Sequence, residues 1–175
     1  MILETKRLML RDFTMDDLDD LHEILGNDET MLFTERAYSK EKTATFLQSF
    51  CIDRQPKGAY AAVLKSTGKL IGYVLFKPLG EEDVYEIGWI FNNLFWRQGY
   101  AYEVCSKLIE YGFTEMKLHK ICAEAIDTVK SVSLMIKLGM IEEGVQRKHA
   151  RHPVDGTWCD LHWYAILKEE YIATR

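Results

Sequence analysis

The chain has 175 residues, 47% of them apolar, and a formal charge of −5. That length suits a single domain over 1–175, and the apolar share is that of a globular core, which excludes a disordered chain. The acid surplus argues against a nucleic-acid partner, which needs a basic face. No run approaches the roughly 18 to 20 apolar residues of a membrane helix, so no membrane partner is expected either.

Arg7-Leu8-Met9-Leu10-Arg11-Asp12-Phe13 alternates as a half-buried strand does. Thr14 before Met15-Asp16-Asp17 reads as a helix cap with acids in the first turn, and Leu18, Leu21, Ile24 and Leu25 follow at helical spacing. Ser39 opens a second helix, with Phe46, Leu47, Phe50 and Cys51 as its stripe. Ala59 to Leu64, Leu70 to Phe76 and Val84 to Phe91 read as a strand meander, turning at Ser66-Thr67-Gly68 and at Gly80-Glu81-Glu82-Asp83. After Gly99 the period becomes helical, with Ala101, Cys105, Leu108, Ile109, Gly112 and Phe113 on one face. Lys120 to Ile126 returns to strand, Thr128 to Leu138 is a short helix that Gly139 ends, and Gly144 to Lys148 and Trp158 to Leu167 are further strands. A meander followed by alternating strands and helices predicts an α/β (α+β) fold with a mixed sheet.

The opening residues lack a basic segment followed by an apolar one, and the four cysteines (Cys51, Cys105, Cys122, Cys159) form no C-x-x-C pair. Scattered thiols suit a reducing compartment, so a cytoplasmic location is expected. His149 and His152 share an H-x-x-H spacing, but no third ligand is near in sequence, and no metal site is expected. Glu143 reads as the start of a strand and His119 as a loop residue. Phe33, Tyr38, Trp89, Phe91 and Trp158 are either pocket aromatics or core.

The most informative stretch runs from Tyr85-Glu86-Ile87-Gly88-Trp89-Ile90-Phe91, through Asn92-Asn93-Leu94-Phe95, to Trp96-Arg97-Gln98-Gly99-Tyr100-Ala101-Tyr102-Glu103. It is a buried strand, a short loop and a small-residue turn opening a helix. The first helical turn leaves backbone N–H groups unpaired at the positive end of the helix dipole, and Gly99 and Ala101 would let a pyrophosphate approach them.

This strand–loop–helix resembles the acyl-CoA-binding motif of the GNAT acetyltransferase superfamily, Q/R-x-x-G-x-G/A, aligned on Trp96-Arg97-Gln98-Gly99-Tyr100-Ala101 with Trp at the first position. Trp ahead of the loop is similar to the RimJ/RimL-like branch of ribosomal-protein N-terminal acetyltransferases, which has Gly where Arg97 stands. Four more segments resemble that branch in order: Leu3 to Arg11, Ser131 with Lys137-Leu138-Gly139-Met140, Glu142 to Arg147, and Asp160 to Tyr164.

The resemblance implies a mostly antiparallel sheet with splayed middle strands, acetyl-CoA as cosubstrate, and a primary amine acceptor, either a protein N-terminus or a small molecule, in a ternary complex. It places cofactor contacts on the backbone of Trp89, Ile90 and Phe91, on Arg97, Gln98, Gly99, Tyr100, Ala101 and Tyr102, and on Ser131. The family's Asn beside the pantetheine arm falls on Thr128. Ser131 would protonate the leaving thiolate, or it is a first-turn serine on the helix surface. From the residues themselves, Glu86 is an acid in an apolar strand, where desolvation would suit it to act as base, or it is a hydrogen-bonded structural Glu. A second class of function stays open: an acyl-CoA-binding sensor or interaction module without turnover. The oligomer is expected to be a monomer or homodimer.

Overall fold

The computed structural model describes residues 3–173; positions 1–2 and 174–175 of the expected single domain, including the opening Met1 and Ile2, lie outside them. Eight strands form one sheet in the order β1-β2-β3-β4-β5-β6-β8-β7. They are β1 (Leu3–Glu4), β2 (Leu8–Arg11), β3 (Ala59–Leu64), β4 (Leu70–Pro78), β5 (Val84–Phe91), β6 (Lys120–Ala125), β7 (Ile141–Arg151) and β8 (Trp158–Leu167). Six helices accompany them: α1 (Leu18–Leu25), α2 (Asp28–Met31), α3 (Lys40–Phe46), α4 (Tyr100–Thr114), α5 (Lys130–Lys137) and α6 (Lys168–Ala173). This is the mixed, mostly antiparallel α/β sheet expected. Among the described residues no helix is long and apolar enough to cross a membrane.

Strand alternation sorts the central residues into two cores. Tyr60, Ala62 and Leu64 of β3 and Ile71, Val74 and Phe76 of β4 face α4, with Val104, Cys105, Leu108 and Ile109 packed on them. Ala59, Ala61 and Val63 face the other way, with Tyr73, onto Leu21, Ile24 and Leu25 of α1 and Leu47 and Cys51 beyond α3. A sheet covered on both faces explains why β3 reads as a continuous apolar run.

Local signals set several boundaries. Ser39 Oγ accepts the Lys42 amide at 3.2 Å, as an N-cap does. Thr14 and Asp17 form a reciprocal capping box around a 3-10 turn that leads into α1. The stripe after α3 continues through a π-helical turn, Leu47–Ile52, which keeps Leu47 and Cys51 buried. Strand β7 runs longer than expected, and β1, α2 and α6 are short elements that the sequence patterns did not mark out.

The feature that positions the site is the one parallel junction among the described residues. Strands β5 and β6 pair only over Val84↔Lys120, Tyr85↔Ile121 and Glu86↔Cys122, whereas β4 and β5 stay paired all the way from Pro78↔Tyr85 to Gly72↔Phe91. Beyond Glu86 the two strands diverge, and the sheet opens into a V. Antiparallel pairing turns alternate residues toward each neighbour. Because the Asn92 amide donates to the Ile71 carbonyl at 2.9 Å, Gly88, Ile90 and Asn92 are turned to β4. Trp89 and Phe91 therefore direct their peptide groups into the V.

Candidate active site

A cleft of about 440 Å³ follows the V from α4 and α5 on one face to α2 on the other. Its floor is Trp89, Ile90 and Phe91. One end is built by Trp96, Arg97, Gly99, Tyr100, Ala101 and Tyr102, and the far wall by Asp127, Lys130, Ser131 and Lys137.

The loop entering α4 is held by a set of local bonds. Trp96 Nε1 donates to the Phe91 carbonyl at 2.7 Å, and Asn92, buried, accepts the Leu94 amide at 3.1 Å. Arg97 and Gly99 both take positive φ, 60° and 80°. Glycine tolerates that conformation; arginine there is uncommon and marks a backbone shaped for something. The first amide bonded within α4 is that of Glu103, to the Gly99 carbonyl at 3.0 Å. The amides of the preceding residues thus remain at the positive helix end, open to an anion.

Lysines add charge opposite this turn. Lys130 Nζ sits 3.8 Å from the centre of the Trp96 ring and Lys137 Nζ 4.6 Å from that of Tyr102. Together with Arg97 they line a cleft fit for a multiply charged phosphate ligand, although the chain as a whole is acidic.

A long-range clasp anchors the same turn. The Glu103 carboxylate accepts from Thr5 Oγ1 (2.6 Å), the Arg7 amide (2.7 Å) and Arg7 Nε (2.6 Å). Arg7 Nη1 also donates to the Gln98 carbonyl at 2.9 Å, and its guanidinium lies 4.2 Å from the Tyr100 ring centre. Burial pushes the Glu103 carboxyl up, but the Thr5 hydroxyl and the Arg7 amide and guanidinium outweigh it and hold the group below its ordinary value. A depressed carboxyl contributes stability that is complete above its unfolded value and is lost as the pH falls through the folded one. Glu103→Gln should therefore lower the melting temperature near neutrality and narrow its gap to the parent below about pH 4. An equal deficit at every pH would remove the ionic clasp as the cause.

The other expected site residues fall into place unevenly. Ser131, half-buried in the first turn of α5, faces the cleft. Thr128 does not: it is exposed in the turn before α5 and lines no part of the cleft. Its neighbour Asp127 takes the inward place, buried, with Oδ1 accepting the Val129 amide at 2.9 Å and that of Lys130 at 3.0 Å. A residue that caps a helix start is drawn inward by those amides, and the next side chain is turned out. Gln98 is also outside the lining; its side chain folds back to the Leu94 carbonyl at 3.3 Å, and its backbone serves the clasp. Ile90 lines the cleft, but with its peptide groups turned to β4.

Glu86 is not the lone acid of an apolar strand. Register places it opposite Lys77, whose Nζ lies 2.9 Å from its Oε2, and Glu86 is absent from the cleft lining. The ion pair is what the hydrogen-bonded reading of Glu86 expects. Glu143 is paired with Lys120 at 2.6 Å. Cys105 and Cys122 are buried and their thiols are pushed upward by burial, the reverse of an activated nucleophile. Phe33 lines the cleft with Trp89 and Phe91, whereas Tyr38 belongs to the second core and Trp158 is exposed.

On the α2 side a wall forms that sequence patterns did not reveal. Phe33 meets His152 edge-on at 5.5 Å, and Arg36 Nε donates to the Pro153 carbonyl at 3.3 Å, so the tip between β7 and β8 closes against the α2–α3 loop. Asn93 bonds Glu29 at 2.8 Å and Thr30 at 3.3 Å, which fixes α2 over the end of β5.

A splayed sheet, an anion-ready helix start beside it and a lysine-lined wall define an acetyl-CoA-dependent acyltransferase. Residues 7–141 match the Acetyltransferase (GNAT) domain, and the chain belongs to that family. It is 34% identical over 173 residues to the uncharacterized N-acetyltransferase YnaD of Bacillus subtilis, covering 98% of this chain and 99% of the relative. A GNAT-family acetyltransferase structure from Bacillus anthracis superposes with a TM-score of 0.87 at 32% identity, covering 97% of this chain and 99% of that one. The spermidine N-acetyltransferase of Vibrio cholerae, solved with CoA and spermine, shares the fold at a TM-score of 0.80 and 23% identity, over 95% and 98% of the two chains.

Proposed function

We propose that this chain, acting as one domain over 1–175, acetylates a primary amine in a ternary complex with acetyl-CoA. The acceptor is a protein N-terminus, as in the RimJ/RimL-like branch its motifs resemble, or a small-molecule amine, as in the spermidine enzyme whose fold it shares. The observation that carries the reading is the V beyond Glu86↔Cys122, whose open edge offers the Trp89 and Phe91 peptide groups as a strand would. The pantetheine arm lies along that edge and its pyrophosphate sits on the amides after Gly99, with Arg97, Tyr100, Ala101 and Tyr102 around it. The lysines at 130 and 137 neutralise phosphate charge. The Phe91 carbonyl is already taken by Trp96, so the contacts there are made by its amide and by Trp89.

In this arrangement the thioester is held where an amine entering from the α2 side can attack it, and fixed amides stabilise the oxyanion that forms. Ser131, which lines the cleft, donates a proton to the departing thiolate. Four free thiols favour a reducing, cytoplasmic setting, and the working unit is a monomer or homodimer.

The test is calorimetric titration with acetyl-CoA, followed by thiol release with spermidine and with short peptides bearing free N-termini. Binding with release for either acceptor class supports transfer and identifies the class. Binding without release would leave only a sensor of acyl-CoA. Ser131→Ala should slow CoA expulsion about tenfold with acetyl-CoA affinity retained, a modest share of what general acid catalysis supplies. An unchanged single-turnover rate would leave Ser131 structural.

A further inference from the structure

The mechanism needs a base on the acceptor side, and Glu86 is tied to Lys77. Two carboxylates line the cleft itself, Glu29, bonded to Asn93, and Asp127, bonded to the amides that open α5, while a third, Glu124, stands on the β6 edge of the V outside that lining. In β6, Ile121 and Ala123 point into the core under α4, so Cys122 and Glu124 point to the opposite face, the one α2 overlies. Cys122 is the last residue paired to β5, and Glu124 stands two residues further on, where the V begins to open. Among the described residues no hydrogen bond or ion pair engages its carboxylate. Opposite it in register is Trp163, whose enclosed indole N–H has no hydrogen-bond partner.

We propose that Glu124 is the base that takes the proton from the acceptor's ammonium, a role that rests on the transfer reading above. The ammonium R–NH3⁺ gives one proton to the Glu124 carboxylate, and the freed amine pair attacks the thioester carbonyl. The C–N bond forms, the C–S bond breaks, and the nitrogen's surplus proton ends on the thiolate as CoA–SH. Glu124 then returns its proton to solvent.

The charges facing Glu124 fit that task. Desolvation by the surrounding strands raises its carboxyl above the ordinary value, Glu86 raises it further, and Lys77 and His149 pull it down. Lys120 and Glu143, farther toward the closed end, are paired with each other. His149 belongs to the irregular segment of β7 between Gln146 and Ala150, beside Lys148 with φ 52°. A base poised upward is a better proton acceptor at neutral pH than an ordinary carboxylate.

The experiment uses the full chain and two readouts. In ligand-free protein with ¹³C-labelled glutamate carboxyls, the resonance lost in Glu124→Gln should titrate above 4.5, the ordinary glutamate value. Kinetics would use acetyl-CoA with spermidine, benzylamine and a serine-initiated tripeptide. Glu124→Gln should lower kcat/KM by about 100-fold or more with acetyl-CoA affinity unchanged, the low end of general base catalysis. Lys77→Met should move the acidic limb of the parent's pH profile upward and Glu86→Gln should move it downward, since each removes a charge acting on Glu124. Titration at or below 4.5, or Glu124→Gln turnover within about twofold of the parent, overturns this assignment. A parent chain that binds acetyl-CoA but releases no thiol with any of the three amines overturns transfer itself.

Discussion

Replacing Gly99 with valine should weaken acetyl-CoA binding by about 10- to 100-fold, or roughly 1.4 to 2.8 kcal/mol. Gly99 sits at φ 80°, and a β-branched residue held there carries a strain of about 1–3 kcal/mol. The space beside it is bounded by the Arg7 guanidinium, whose Nη2 lies 3.5 Å from where a Cβ would stand. Two outcomes are available to the variant. Either the loop keeps its shape and the fold bears the strain, with a valine over the amides where the phosphates would sit, or the loop relaxes to negative φ and the amides no longer converge. Both reduce affinity, and neither touches the core. Calorimetry should therefore show the weaker binding while the far-UV circular dichroism stays that of the parent. Unchanged affinity would mean the phosphates lie elsewhere.

The second large effect concerns the strand under the opening. A Cβ added to Gly72 would stand 2.4 Å from Phe91 Cδ1 and 2.8 Å from the Ile90 carbonyl, so ring and backbone must both yield. Overpacking of this kind costs about 1–3 kcal/mol, and each kcal/mol lowers the melting temperature of a chain this size by about 2–4 °C. Gly72→Val should thus melt several degrees lower and also bind acetyl-CoA poorly, because the strand it displaces carries the peptide groups of Trp89 and Phe91. Gly88→Ala, whose nearest new contact is Leu75 Cδ1 at 3.3 Å, should do much less. Equal effects of the two variants would show that the register of β5 does not control the site.

The residues of the glycine loop and of β5 were legible because their signal is local: a change of hydrophobic period at a glycine, a run of apolar residues, a turn. Ser131 has no such local signal and is marked only by the family resemblance. What escaped has a common cause, which is dependence on partners distant in the chain. Arg7 and Glu103 meet across 96 positions, and nothing in either neighbourhood announces it. The contact of Phe33 with His152 is of the same kind. Glu86 is instructive because its partner was within reach: the hairpin that turns at Gly80 to Asp83 brings Lys77 opposite Glu86 once the register is counted. Thr128, where the family's Asn falls, is turned outward because its neighbour is the cap, and Asp127 carries its own sign of that, an acid just ahead of a helix whose first amides need an acceptor.

The short junction of β5 and β6 has a thermodynamic corollary. Only three residue pairs join the two strands, so each strand leaves hydrogen-bonding capacity unspent along the V. A ligand arm that lies there completes the ladder as a missing strand would, and it can do so only in the folded chain. Folding and ligand occupancy are then linked equilibria: at a concentration 100 times its dissociation constant, the cosubstrate would add about 2.7 kcal/mol to the unfolding free energy. A cell's acetyl-CoA level would thereby set how long this protein lasts as well as how fast it works.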